Sequence, residues 1–326
     1  MALIEVLGAD AVRIHPAVSS VALARARLGW SSESAAVVSV VGRPLDLVRL
    51  RLAPRQRLLV LSAGVETPAL LAALLVDAGY GASRVIVLGD LGTDHETRRE
   101  TIAADAGELA DVPALNVVAV DCVADPATRV LGSAAGLPDH AYAHDGQLTK
   151  RELRAAALAR LAPVPGELLW DLGAGAGSIA IEWARTHPRC RAVAVERDPV
   201  RAARLAANAA RLGVPGAGVM GVEVVTAEAA GCLADLPEPD AIFVGGGADA
   251  EVLDRCWGRL PPGGRLVAHA VTVETEQTLI RAWQAYGGEL VRIGIERLEP
   301  LGGLHGWRPA RPVVQWSVVR GERGPR

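Results

Sequence analysis

Short apolar runs alternate along this chain with longer stretches of helical spacing. Residues 167–172 form a mostly apolar run of strand length, a glycine-rich turn follows, and Ile179-Ala180-Ile181-Glu182-Trp183-Ala184 begins a helical pattern. Strand, glycine turn and helix form the opening unit of a doubly wound α/β domain, whose ligands sit above the carboxyl ends of the strands. The same punctuation predicts strands at 192–195 (ending in Glu196), 222–225, 240–244 (ending in Gly245-Gly246-Gly247), 265–268, 289–295 and 312–319. Asp198-Pro199 opens a helix that stops near Gly213, and another is expected over 274–285. Ahead of the glycine turn, Thr149 with Glu152 three residues on reads as a capping box. The helix it starts has Leu153, Ala157, Leu158 and Leu161 on its apolar side and ends at 163–166.

The first part of the chain shows the same alternation, which predicts a second α/β unit. Strands are expected at 2–7, 36–41, 57–61, 85–88 and 116–120. A helix over 21–28, capped by Ser19 or Ser20, stops at Gly29, and Thr67-Pro68 starts another that ends at Gly79. Breakers at Asp125-Pro126, Gly136-Leu137-Pro138-Asp139 and His144-Asp145-Gly146 mark a linker. The domains expected are therefore 1–123, a linker over 124–146, a second domain over 147–320 and a short polar tail, 321–326.

The glycine turn carries the first chemistry. Glycines allow a ligand to lie against the backbone, and the helix behind them presents free N–H groups. A dinucleotide fingerprint needs a third glycine three residues after the second. Ser178 stands there, and the run is instead Asp171-x-Gly173-x-Gly175-x-Gly177, the pattern of class I S-adenosylmethionine (SAM) methyltransferases, which this stretch resembles. Glu196 lies at the end of the next strand, where a carboxylate can accept both ribose hydroxyls of a nucleoside. Ala227 and Glu228 follow the third strand, where adenine contacts are commonly made; equally, Glu228 reads as an acid at a helix start. Gly245, Gly246 and Gly247 suit close approach of a ligand, or make a plain turn.

Composition narrows the choice. Half of the 326 residues are apolar, 22% are charged and the net charge is −3, which gives no bulk basic signal for nucleic acid. Cys122, Cys190, Cys232 and Cys256 are scattered, with no C-x-x-C pair, so neither a zinc site nor a disulfide framework is expected; free thiols in a reducing cytoplasm are. No apolar run reaches the about 18 residues of a membrane span, and Glu5 and Asp10 argue against a signal peptide.

Two resemblances cover the chain. Pro16-Ala17-Val18-Ser19-Ser20, Leu88-Gly89-Asp90-Leu91-Gly92, Glu96 with Arg98, and Pro113-Ala114-Leu115-Asn116 resemble the C-terminal half of the tetrapyrrole methylase family. That family's opening strand and G-x-G-P-G loop are not in this sequence. A partial domain is therefore expected for the first unit, with C-5 methylation left open there; the alternative is a class I SAM methyltransferase acting on another substrate, a tRNA base or small molecule, with the first unit in a non-catalytic assembly or hand-over role. From His144-Asp145-Gly146-Gln147-Leu148-Thr149-Lys150-Arg151-Glu152 through Phe243-Val244-Gly245-Gly246-Gly247 to Gly306-Trp307-Arg308-Pro309, the second unit resembles the decarboxylating precorrin methyltransferases of cobalamin biosynthesis.

This second resemblance implies a Rossmann-like, seven-stranded mixed sheet and SAM as cofactor. It also implies a tetrapyrrole substrate, with methylation at C-15 and loss of the C-12 acetate carboxyl; C-5 methylation would need the first unit. A homotetramer in the cytoplasm is implied, with no metal, nucleic acid or membrane partner. It implies cofactor contacts from Gln147, Asp171, Gly173, Gly175, Gly177, Ser178, Glu196, Ala227, Glu228, Gly245 and Gly246. Catalytic contributions are expected from Thr149, Lys150 and His269, the last standing where the family usually has asparagine. Carboxylates of the substrate call for bidentate arginines; the substrate-side candidates are Arg151, Arg154, Arg308 and, in the same loop, Arg311, with Gly247 and Thr272.

Overall fold

The structure, a computed structural model, describes residues 3–109, 111–216 and 220–321. It divides into two compact units, with the division between Val130 and Leu131. The expected polar tail lies outside the described residues beyond Gly321.

In the first unit, helix α1 (Leu3–Leu7) replaces the strand expected at 2–7, of which Ala2 is outside the described residues. Ile4, Val6 and Leu7 stay exposed, so this apolar run has no sheet to join. Helix α2 (Ser20–Leu28) begins at Ser19, whose side chain accepts from the Ala22 N–H, and ends at Gly29 in the left-handed conformation. Strands β1 (Ala35–Ser39) and β2 (Arg57–Leu61), helix α3 (Thr67–Asp77) and strands β3 (Arg84–Gly89), β4 (Thr97–Ile102) and β5 (Asn116–Asp121) follow. The sheet order is β1-β2-β5-β3-β4, with only the β1–β2 pair parallel. Alternate residues of each strand serve opposite faces: Leu58, Val60, Val85 and Val87 pack with Leu71 and Leu75 of α3, whereas Leu59, Ile86 and Leu88 pack with Ala24 of α2. Sequence patterning missed β4, Thr-Arg-Arg-Glu-Thr-Ile, because an edge strand can be polar; Thr101 is its one buried residue.

The second unit opens with helix α4 (Arg151–Leu161), strand β6 (Leu168–Leu172), helix α5 (Ser178–Thr186), strand β7 (Arg191–Glu196) and helix α6 (Pro199–Arg211). It continues with β8 (Gly221–Thr226), α7 (Ala229–Cys232), β9 (Ala241–Val244), α8 (Ala250–Arg259), β10 (Arg265–Ala270), α9 (Val273–Tyr286) and β11 (Glu289–Ile293). A hairpin of β12 (Glu296–Leu301) and β13 (Leu304–Pro309) precedes the last strand, β14 (Val313–Val319). The seven-stranded sheet has the order β11-β14-β10-β9-β6-β7-β8. Its strands are parallel from β10 through β8, and β14 runs antiparallel between β10 and β11. Trp170, Leu172, Val193, Val195, Ile242, Val244, Leu266 and Trp316 build one core with Leu253 of α8 and Leu279 of α9.

The order places β6 beside β9, with β7 and β8 on one side and β10 on the other. That is the switch point of a doubly wound sheet, where a ligand crevice is expected. Neighbouring helices bear cations: α6 carries Arg201 and Arg204, both paired with Asp145. Thr149 does not cap α4, because Lys150 is the N-cap residue and makes no side-chain cap bond; Thr149 lies one residue further out.

Candidate active site

A cavity of about 900 Å³ lies over the carboxyl ends of the strands of the second unit. Its walls come from the segment Gly146–Lys150, the glycine turn, the ends of β7, β8 and β9, and the corner where β10, β11 and β14 meet.

The three glycines of the turn serve three different ends. Gly173 has φ +69°, and a Cβ there would stand 2.7 Å from the Gly246 carbonyl oxygen; backbone meets backbone. Gly175 has φ +58° and donates its N–H to Glu196 Oε2 at 2.8 Å. Gly177, at φ +78°, is buried against α6, where a Cβ would sit 2.5 Å from Leu205 Cγ. Gly177 does not line the cavity, which corrects its expected cofactor contact: its need for a missing side chain is helix packing.

Asp171 is buried beneath the turn and accepts the Ala180 N–H at 3.0 Å. Helix α5 begins at Gly177, which has no capping side chain, so Asp171 satisfies from the strand one of the free N–H groups of the first turn. Burial lifts its pKa from the ordinary 3.8 to about 7, against the lowering effect of that N–H. A carboxyl with a raised pKa holds its proton more tightly when folded. Its contribution to stability is complete below pH about 4 and is lost as pH rises through about 7. Asp171→Asn keeps the acceptor and removes the titration. Thermal melts of wild type and variant are expected to diverge in favour of the variant as pH rises over that window; parallel curves would contradict the assignment.

Glu196 ties the site together. Its carboxylate accepts from Gly175 N and, at 3.0 Å, from Asp198 N, and its backbone carbonyl accepts from Ala227 N at 3.2 Å. The side chain is buried but lines the cavity. A carboxylate has about four acceptor positions, so two remain for a ligand's hydroxyls. Gln147, Thr149, Lys150, Ser178, Ala227, Glu228, Gly245, Gly246 and Gly247 also line the cavity. Glu228 is the N-cap residue of α7 and makes no capping bond, which leaves its exposed carboxylate facing the site.

His269, on β10, is buried at the cavity wall. Its Nε2 is 2.9 Å from Gln315 Oε1 on the paired position of β14, and its ring meets Phe243 edge-on at 5.1 Å. Burial pushes its pKa down, against the Gln315 contact that raises it. The lowered pKa favours the neutral ring, and a donor at Nε2 suits the facing glutamine oxygen. That leaves Nδ1 an acceptor.

Four substrate-side expectations are corrected. Arg154 is fully buried and lies outside the cavity lining. It bonds Glu182 at 2.8 Å and Asp139 at 3.0 Å, and donates to the carbonyls of Leu137 and Thr149. Arg151 is exposed and away from the cavity. Arg308 lies on the hairpin, paired with Glu299 at 3.0 Å. Thr272 caps α9 by accepting the Thr275 N–H. The cations that do line the cavity are Lys150, Arg197, Arg201, Arg297 and Arg311. Arg197 and Arg297 were missed because one sits just beyond the end of β7 and the other at the start of β12, where a lone arginine has no spacing signature. Asn208 was missed as well. From α6 it donates to the Ala143 and Ala176 carbonyls and accepts the Ala143 N–H, binding the segment before the cavity to the glycine turn.

The glycine cradle, the buried acceptor at the end of the second strand and the open crevice between them fit an adenosyl ligand. The family model for the precorrin methyltransferase domain matches residues 140–320, and that for tetrapyrrole (corrin/porphyrin) methylases matches residues 1–107. A precorrin-6Y C(5,15)-methyltransferase (decarboxylating) from Sinorhizobium sp is 49% identical over 311 residues, 95% of this chain and 74% of that protein. The chain belongs to the decarboxylating precorrin-6Y C(5,15)-methyltransferase family. The crystal structure of the C-terminal domain of this enzyme from Rhodobacter capsulatus covers 58% of the chain at 43% identity, with a TM-score of 0.55. A cobalt-precorrin-6B C(15)-methyltransferase (decarboxylating) of Salmonella typhimurium is 31% identical over 171 residues, 51% of this chain and 85% of that protein. Members of the family are SAM-dependent C-methyltransferases, and S-adenosyl-L-methionine is the methyl donor here. Among the described residues no group of acids, histidines or cysteines could hold a metal ion, and no helix is long and apolar enough to cross a membrane.

Proposed function

We propose that the second unit methylates a precorrin at C-15 and removes the carboxyl of its C-12 acetate. The observation that carries this reading is the cavity itself. One cavity of about 900 Å³ is lined both by Gly173, Gly175 and Glu196 and by Arg197, Arg297 and Arg311. A substrate with several carboxylates fits such a lining.

When bound, SAM supplies an electrophilic methyl group for in-line displacement. The chain's own residues supply position. Glu196 accepts the ribose hydroxyls, and Ala227 and Glu228 flank the base. The Gly245–Gly247 backbone lets the reacting carbon approach closely, and alignment of this kind is worth large effective molarities. The macrocycle provides its own electron-rich carbon, so no strong base is needed. Neutral His269, with Nδ1 as acceptor, orients the substrate without adding charge.

Incubation with SAM and precorrin-6Y, followed by mass, tests the reading: gain of methyl with loss of CO₂ supports it, and no mass change with SAM bound refutes it. Methylation at C-5 would fall to the first unit. Counting S-adenosylhomocysteine sites by calorimetry separates one active unit from two.

The free cysteines, three of them buried, suit a reducing cytoplasm. The β12–β13 hairpin leaves Leu298, Leu301, Leu304 and Trp307 more than half exposed. Such an apolar ribbon suits association of identical chains, and a homotetramer is proposed; light scattering counts the chains.

A further inference from the structure

We propose that the carboxylate lost from the substrate seats against an apolar wall of Val271, Ile295 and Val313, while carboxylates that survive are held at the rim by Arg297 and Arg311. This rests on the reading that the substrate is a precorrin.

Sheet register brings the wall together. Ala270 of β10 pairs with Val314 of β14, and Ile293 of β11 pairs with Val313. Val271 follows β10 directly, and Ile295 follows β11 and accepts the Ala310 N–H at 2.8 Å. The register sets the three at the same end of the sheet, and all three line the cavity. Val271 is 53% exposed, an apolar surface turned to the ligand space. Two residues along the chain on either side stand the cations: Arg297 beyond Ile295 and Arg311 before Val313. Arg297 is already paired with Glu152 at 2.8 Å, whereas Arg311 has no ion-pair or hydrogen-bond partner among the described residues. One corner of the cavity thus offers both an uncharged wall and guanidinium groups within a few residues of each other.

That division bears directly on which carboxylate leaves. In the step, the bond between the acetate methylene and its carboxylate carbon breaks. The electron pair stays with the methylene carbon and spreads into the conjugated ring, CO₂ departs, and a proton from water completes the methyl group. Negative charge leaves the carboxylate oxygens in the transition state. A cation on those oxygens holds the ground state more tightly than the transition state and slows the step. An aliphatic wall offers no such hold and excludes water once the macrocycle covers it. The rim arginines, conversely, protect the carboxylates they grip.

The test is to place a cation on the wall. Wild type, Val271→Lys and Val271→Leu are incubated with SAM and precorrin-6Y, and the methylated products with and without the lost carboxyl are separated by mass. Val271→Lys is expected to lower the decarboxylated share of methylated product by about tenfold, the effect of one charge-assisted hydrogen bond. Val271→Leu keeps the wall apolar and is expected to lower it far less than Val271→Lys does. An unchanged share in Val271→Lys, with methylation intact, overturns the proposal. If Val271→Lys also stops methylation, Arg297→Gln and Arg311→Gln decide: a raised KM with the decarboxylated share kept supports the rim role, and a fall in that share overturns it. Failure of wild type to methylate precorrin-6Y at all would instead remove the functional reading beneath.

Discussion

Glu196→Ala is expected to weaken S-adenosylhomocysteine binding on the order of a hundredfold or more. The carboxylate's two remaining acceptor positions would each serve one ribose hydroxyl, and a hydrogen bond to a charged group contributes about 1.5–3 kcal/mol. Each 1.4 kcal/mol is about tenfold in affinity. The loss has a second part, because the same carboxylate holds Gly175 N and Asp198 N and so fixes the turn against the end of β7. Glu196→Gln separates the two parts. An amide has one accepting atom and one donating group, so it cannot satisfy both N–H groups at once, and a hydroxyl partner remains available. An intermediate loss of about tenfold is expected for it. Calorimetric titration of the three proteins gives the order; equal affinities across the series would show that Glu196 is part of the scaffold alone.

Most of this site was legible because its chemistry depends on backbone shape. A glycine turn after a buried strand, and an acid at the end of the next strand, leave marks at fixed spacing, and Gly173, Gly175 and Glu196 all face the cavity. The strand-helix alternation was legible for the same reason: Asp198-Pro199 and Ser19 mark helix starts through satisfied N–H groups. Side chains that act at a distance were not. The pattern around Asp171 reads the same whether it meets a ligand or caps α5 from below, and the structure has it at both places, lining the cavity and accepting the Ala180 N–H. Three of the four candidate arginines lie outside the cavity lining for a related reason. Arg154 and Arg311 look alike in sequence, yet the first is sealed inside by Glu182 and the second lines the cavity. The β12–β13 hairpin was hidden because its apolar residues face outward, so no core-facing alternation announces it.

Glu182→Ala is expected to be the most destabilising single change in the second unit. Its carboxylate lies 2% exposed and accepts from Arg154 Nε at 2.8 Å, Leu137 N at 3.0 Å, Tyr142 Oη at 2.9 Å and Gly136 N. Burial and the nearby carboxylate push the Tyr142 hydroxyl to hold its proton far above its ordinary range, so it stays a donor. Removing the acid takes the buried partner from the Arg154 guanidinium, which has no exposure and is left with Asp139 alone as counter-charge, and strands two N–H groups and a hydroxyl. Breaking a buried pair from one side costs about 3–5 kcal/mol. For a unit of this size that corresponds to a fall in Tm on the order of 10 °C. The effect should reach the cavity, because Arg154 also grips the Leu137 and Thr149 carbonyls and Asp139, and residues 146–150 at the end of that segment form one wall. Ligand affinity is therefore expected to fall in Glu182→Ala even at temperatures where it is fully folded. The double change Glu182→Gln with Arg154→Met removes both charges together, and its loss should be smaller than the sum of the two single losses. If the two single losses add, the carboxylate and guanidinium act independently, and the wall is held by the Asn208 and Asp145 contacts alone.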